Sequence, residues 1–271
     1  MNSRHFIQKT KLWVIKIGSS ILTDSQGTPD VKIFSRLAQE MAQLRASGKQ
    51  VILVSSGAIA CGMHKIGLQT KPTQIAKKQA IAAAGQISLM NFYERAFSKH
   101  ALNIAQILLT REDLSSPERH LNTRHAIHEL LKMNCIPIIN ENDTVAVEEI
   151  KVGDNDNLSA WVSEVAQASL LVILTDQEGL YTADPRRNPQ AEKLSLVEKI
   201  SAKIKKLAQD TQGRGTTGGM ITKLQAAERA LSFGISTVIA SGRRAGVLVS
   251  LAQGNEEGTL FLAQNSRGRE K

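Results

Sequence analysis

The sequence points to an α/β fold, a mainly parallel sheet with helices on both faces. Short β-branched apolar runs recur along it, and segments with helical periodicity separate them. Glycine- or hydroxyl-rich turns, and one dense group of carboxylates and amides, stand where strands end, which is where open α/β sheets bind ligands. With 271 residues, 42% of them hydrophobic and 22% charged, the chain is long enough for one large α/β domain or two small ones. No repeat, low-complexity block or Pro/Gly-rich linker divides it, so residues 1–271 are expected to form one domain.

The first strand is expected at 12–17, Leu-Trp-Val-Ile-Lys-Ile, followed by a helix at 31–46 that Pro29 or Asp30 opens and Gly48 closes. The second strand, 50–55, runs into Ser55, Ser56 and Gly57, which open another helix. An Ala-rich helix at 73–97 follows Pro72 and contains Gly85, which costs about 1 kcal/mol there relative to Ala and so marks close packing or a bound group. Further strands are expected at 103–109, 136–139, 170–174 and 236–240, and helices at 118–133, 158–168 and 220–233, with a frayed tail after Asn265.

Composition excludes several classes. Cys61 and Cys135 cannot make a disulfide framework and have no zinc spacing, so they read as reduced core thiols. No signal-type segment is present and no apolar span approaches roughly 18 residues, so a cytoplasmic protein without a membrane partner is expected. The net charge of +9 raises the question of polyanions, with basic concentrations at 203–206, Arg243–Arg244 and 267–271. Aromatic platforms for single strands are missing, so a solvated basic surface is preferred over a nucleic-acid partner, with attraction of phosphorylated small molecules as the alternative. The competing class is a nucleic-acid or regulatory binding protein that kept the fold and lost catalysis.

The polar group at 140–159 follows the apolar run that begins at Cys135. It is no calcium loop: counting from Asp154, the fifth, sixth and twelfth places hold Leu158, Ser159 and Val165. Asp156 or Asn157 is expected to cap the next helix, yet capping leaves too many polar groups unexplained. His120, His125 and His128 lack metal-site spacing. Arg111, Glu112 and Asp113 fit either solvated charge or effector sensing.

Four turns follow strands. Lys16 to Ser20, with Gly18 at its centre, suits an anion cradle; Ser55 to Gly62 opens a helix whose N-terminus serves a phosphate or a carboxylate. The run 213–223 fails as a dinucleotide or P-loop motif; a glycine-rich loop leading into a helix with Lys223 in its first turn suits a phosphate grip, and a flexible surface loop is the alternative. The run 174–186 leaves its strand through turns at Gly179 and Asp184–Pro185. Four such loops with two lysines suit phosphoryl transfer, which asks for positioning and positive charge, and the protein-kinase motifs H-R-D and D-F-G are absent.

The succession K-I-G-S-S, S-S-G-A-I-A, N-E-N-D, G-D-N-D-N-L-S-A, T-D-Q-E-G-L-Y-T-A-D-P and T-G-G-M-I-T-K resembles the amino acid kinase family over about residues 11–262. The runs 139–143 and 151–157 are similar to its glutamate-phosphorylating branch. The resemblance implies a three-layer αβα sandwich and ATP-dependent, Mg2+-assisted phosphorylation of the γ-carboxylate of L-glutamate, the first step of proline biosynthesis. It also implies proline as feedback inhibitor and a homo-oligomer, dimer or tetramer. By motif, Lys16 and Lys223 flank the transferring phosphoryl group, and Asp156 organises both. Gly18 and Ser19 supply backbone donors; Thr175, Asp176, Thr217, Gly218, Gly219, Met220, Ile221, Thr222 and Lys223 match the nucleotide site. Ser56, Gly57, Asp143 and Asn155 match the glutamate site, Asp143 suiting the α-ammonium and the Gly57 amide an oxygen; magnesium sits chiefly on the phosphates. Two departures stand out. Many members carry a C-terminal PUA domain, for which this chain is expected to be too short, and Thr216 stands where glycine is common.

Overall fold

The computed structural model describes residues 4–145, 155–210 and 219–263. The chain divides into two compact units, one continuous (Ile17–Lys151) and one assembled from Met1–Lys16 and Val152–Lys271. The discontinuous unit begins with α1 (His5–Lys9) and β1 (Leu12–Ile17), every residue of β1 being buried.

The continuous unit runs α2 (Ser19–Leu22), α3 (Val31–Ala46), β2 (Gln50–Ser55), α4 (Ala58–Ile66), α5 (Ile75–Phe97), β3 (Asn103–Leu109), α6 (Arg111–Ser115), α7 (Pro117–Lys132) and β4 (Cys135–Glu141). Its strands lie in the order β3-β4-β2, all parallel, with Leu53 opposite Ile138 and Asn103 opposite Cys135. Parallel strands are covered on both faces, which is why β2 and β4 read as near-continuous apolar runs. The Asp30 carboxylate caps α3 by accepting from the Lys32 amide at 2.9 Å, as its position implied, and α7 starts one residue early because Pro117 suits the first helical turn. Phe34 of α3 packs against Phe92 and Tyr93 of α5, with centroids 5.2 and 4.8 Å apart.

Helices α4 and α5 meet backbone to backbone. A Cβ on Gly85 would collide with the Ala58 carbonyl oxygen and the Gly62 amide nitrogen, and one on Gly62 with the Ile81 carbonyl oxygen. Close packing, not a bound group, explains Gly85. Strand β4 extends two residues past its expected end, because Asn140 is held inside by its Nδ2, which donates to Gln86 Oε1 at 2.9 Å.

The discontinuous unit continues with α8 (Asn155–Val165), β5 (Leu170–Thr175), β6 (Leu196–Val197), α9 (Ala202–Asp210), α10 (Met220–Ser232), β7 (Ser236–Ser241), α11 (Val247–Ala252) and β8 (Thr259–Phe261). Its strand order is β1-β5-β7-β8-β6. β5 pairs with β7 in parallel, Leu170 opposite Ser236 through Thr175 opposite Ser241, and only the β7–β8 pair among those described is antiparallel. The mainly parallel α/β expectation stands. Arg4 is fully buried, its guanidinium donating to the carbonyls of Glu257, Ser195 (2.8 Å) and Gly258 (3.1 Å). Across α8 and α10, Arg229 lies 4.7 Å over the Trp161 ring, and Phe233 packs on that ring at 5.7 Å.

Cys61 is a core thiol, pushed by burial to about 12, whereas Cys135 is only half-buried and falls short of the core placement expected of it. Among the described residues no helix is long and apolar enough to cross a membrane. The tail expected after Asn265 lies outside the described residues.

Candidate active site

Three side chains of the discontinuous unit meet. Lys16 is the penultimate residue of β1, Asp156 stands in the first turn of α8 and Lys223 in the first turn of α10. They are 5%, 0% and 7% exposed, a depth at which a charge persists only if paired. Lys16 Nζ forms an ion pair with Asp156 Oδ1, and Lys223 Nζ lies 3.1 Å from Oδ2. The Thr222 hydroxyl is 2.9 Å from that same Oδ2 and 2.9 Å from the Gly219 carbonyl. A hydroxyl has one proton, and the ionised carboxylate is the stronger acceptor for it.

Burial alone would raise the Asp156 carboxyl, but the ammonium groups of Lys16 and Lys223 outweigh it and hold the group well below the usual carboxylate range. Asp156 is therefore ionised at neutral pH. Two cations sharing one carboxylate leave a net positive charge, which suits a polyanionic ligand.

Helix α8 starts three residues before its expected position. The helix begins at Asn155 rather than 158, so Asp156 is no cap: its side chain goes to the lysines, while its charge in the first turn still favours the helix dipole. Ser159 Oγ donates to the Asp156 carbonyl at 2.5 Å and Ser163 Oγ to the Ser159 carbonyl at 2.7 Å, which ties down that turn. Thr222, one of the stretch expected at the nucleotide, also directs its hydroxyl at Asp156. Only its place beside Lys223 hinted at this.

In the same unit Asn155 is buried at the start of α8. Thr175 ends β5 with its hydroxyl donating to Asp176 Oδ1 at 3.0 Å, Asp176 itself being exposed. Gly219 precedes α10 with no side-chain cap, and the Thr222 amide donates to its carbonyl at 3.2 Å. Met220 is core, leaving only its backbone for contact with a ligand, and Ile221 is half-buried. Thr216, Thr217 and Gly218 lie outside the described residues. The loop leaving β5 is pinned where Thr259 Oγ1 accepts from the Leu180 amide at 2.8 Å, and Asp184 holds its turn through a two-pronged pair with Arg186.

Gly18, Ser19, Ser56, Gly57 and Asp143 belong to the continuous unit. The Ser56 amide donates to the Ile17 carbonyl at 3.1 Å, so the turn after β2 lies beside the segment that carries Gly18 and Ser19. Gly57 opens α4 at φ 111°, a conformation that favours glycine. Asp143 is half-buried just past β4, where the preceding Asn142 amide donates to the Leu109 carbonyl at 2.9 Å.

Arg111, Glu112 and Asp113 turn out to build a helix start: Thr110 and Asp113 form a reciprocal capping box, and Asp113 also pairs with Arg119 at 3.1 Å. Lys205 and Arg244, from the basic concentrations, pair with Glu228 and Glu257.

The chain matches the amino acid kinase family over residues 11–241. It is 51% identical over 259 residues to the glutamate 5-kinase of Pelobacter propionicus, covering 96% of this chain and 69% of that one. It is 48% identical to that of Geobacter metallireducens (98% and 71% covered) and 46% identical to that of Moorella thermoacetica (96% and 69%). Among solved structures it is similar to the carbamate kinase from Giardia lamblia bound to AMP-PNP, with TM-score 0.66 and 18% identity over 95% of this chain and 100% of that one. An isopentenyl phosphate kinase gives TM-score 0.64 at 16% identity, over 92% and 99%. At such identity these two likenesses speak to fold alone.

Proposed function

The chain belongs to the amino acid kinase family, and on that footing we propose that it transfers the γ-phosphoryl group of ATP to the γ-carboxylate of L-glutamate. The product is γ-glutamyl phosphate, in the first step of proline biosynthesis, with residues 1–271 working as one amino acid kinase domain. The observation that carries the chemistry is the pair of buried lysines sharing Asp156. Identities of 46% to 51% with glutamate 5-kinases over nearly the whole chain support the substrate.

In the reaction an oxygen of the γ-carboxylate attacks the γ-phosphorus, the bond to the β–γ bridging oxygen breaks and ADP leaves. No base is needed, because a glutamate side chain with a pKa near roughly 4.3 is already ionised at neutral pH. The protein positions the reactants and offsets spreading negative charge. Lys16 and Lys223 supply the two cations, preorganised by an anion too acidic to take a proton itself. Gly18 and Ser19 present amides near the γ-phosphate. Thr175, Asp176 and the stretch Thr217 to Lys223 hold the nucleotide. Ser56, Gly57 and Asn155 bind the oxygens of glutamate, and Asp143 binds its α-ammonium.

Both oxygens of Asp156 face ammonium groups. That donor set fits magnesium carried on the phosphates of ATP, where it would spread their charge. Proline as feedback inhibitor, a homo-oligomeric dimer or tetramer, and a cytoplasmic setting complete the proposal.

The test is ADP release with L-glutamate, N-acetylglutamate or aspartate as acceptor. Fastest turnover with L-glutamate is expected. Preference for another acceptor overturns the substrate, and salt-sensitive RNA binding without ADP release overturns the enzyme assignment.

A further inference from the structure

We infer that Tyr93 and Ser55 form a hydrogen-bond relay that fixes the Ser56–Gly57 peptide and so aims the Gly57 amide at the amino-acid substrate. The inference rests on the reading above, in which that turn binds glutamate.

Ser55 ends β2 and is wholly buried, as is Tyr93 in α5. Ser55 Oγ lies 2.8 Å from the Ser56 carbonyl oxygen and 2.7 Å from the Tyr93 hydroxyl. Two oxygens approach to 2.8 Å only with a proton between them, and a carbonyl has none to give. The single Ser55 proton is therefore on the Ser56 carbonyl, which leaves Ser55 to accept from Tyr93. The direction is fixed: Tyr93 donates to Ser55, and Ser55 donates to the Ser56 carbonyl.

Tyr93 keeps its proton, since burial pushes its pKa far up. Its ring sits against Phe34 and Phe97, at 4.8 and 6.2 Å, so a phenylalanine would fill the same space. What tyrosine adds is a hydroxyl, and burying a hydroxyl is unfavourable unless it is bonded. The bond it makes leads to the turn.

A peptide is planar, and no cis bond occurs among the described residues, so the Ser56 carbonyl and the Gly57 N–H point in opposite directions. Holding the carbonyl toward the Ser55 hydroxyl sends the Gly57 N–H the opposite way. Gly57 can adopt more backbone conformations than any other residue, and a flipped peptide plane is the alternative the relay removes. The donor is set before the substrate arrives, which is where a binding site gains from rigidity. Ser55 and Tyr93 act through this peptide and are positioning residues.

Steady-state kinetics on Ser55→Ala, Ser55→Thr and Tyr93→Phe, each substrate varied at saturating levels of the other, test the relay. Ser55→Ala should raise the glutamate KM about tenfold, with the ATP KM within about twofold of wild type. Tyr93→Phe should move the glutamate KM the same way by about threefold, because Ser55 keeps its proton but loses its tether. Ser55→Thr, which keeps a hydroxyl on a strand-compatible residue, should return it to within about twofold. An unchanged glutamate KM in Ser55→Ala, or parallel movement of both KM values and kcat, overturns the relay. If Ser55→Ala fails to fold, Tyr93→Phe decides alone, and an unchanged glutamate KM there overturns it. A wild-type chain that releases no ADP with glutamate overturns the functional reading itself, an outcome distinct from an active wild type with indifferent variants.

Discussion

The Thr222 hydroxyl sits 2.9 Å from Oδ2 of Asp156, the oxygen that also receives the Lys223 ammonium at 3.1 Å. Two successive residues of one helical turn thus grip a single carboxylate oxygen, while Lys16 holds the other. The carboxylate cannot turn without loosening a lysine. Thr222→Val keeps shape and removes one hydrogen bond to a charged group, about 1.5–3 kcal/mol. Turnover should fall by about one order of magnitude, read as kcat at saturating substrates.

Lys223→Met removes a preorganised cation outright and should lower kcat by about two to three orders of magnitude. The melting temperature should hold nearly steady, because Asp156 keeps Lys16 as its partner. Turnover close to wild type would refute the assignment of this lysine.

Gly85→Ala sets two effects against each other. Alanine is the better helix former by about 1 kcal/mol, yet its Cβ would strike the Ala58 carbonyl and the Gly62 amide, neither of which can swing aside. Overpacking costs about 1–3 kcal/mol or more, so the steric effect should win and thermal unfolding should come earlier. A raised melting temperature would show that α4 and α5 do not meet as described.

Asp113 gives a pH signature. Burial pushes its carboxyl up, but the Thr110 amide and hydroxyl and the Arg119 guanidinium prevail and hold it below the usual range. A depressed folded value means the stabilisation is present above the unfolded pKa, about 4, and is lost as pH falls through the folded one. Urea unfolding of wild type and Asp113→Asn should therefore differ by about 1 kcal/mol at neutral pH and converge in acid. A gap that widens on acidification would contradict the capping box.

The legible parts of the fold were those governed by burial along a single stretch. Strands β1 and β2 fall where their apolar runs lie, because a strand between two layers needs side chains of one kind along its length. Strands β6 and β8, two and three residues long, are too short for any periodicity to declare itself. Helix α8 starts three residues before its expected position, since Asn155, Asp156 and Asn157 look like turn residues until lysines distant in the chain claim Asp156. The lysines themselves were marked by the turns that carry them. The Thr222 bond to Asp156 joins residues 66 apart, and the Ser55 bond to Tyr93 residues 38 apart, and nothing in a local pattern encodes either.

The unit holding Lys16, Asp156 and Lys223 is stitched from two separate stretches, whereas 17–151 is unbroken. During synthesis, which delivers the chain from its N-terminus at about 5–20 residues per second, Lys16 emerges early and stays hydrated while the whole intervening stretch is made. Its counter-ion arrives only with residue 156, and its fellow cation only with residue 223. On the proposed assignment the phosphoryl-transfer centre is thus completed late in the life of each molecule, and a ribosome stalled short of α10 yields a product without Lys223.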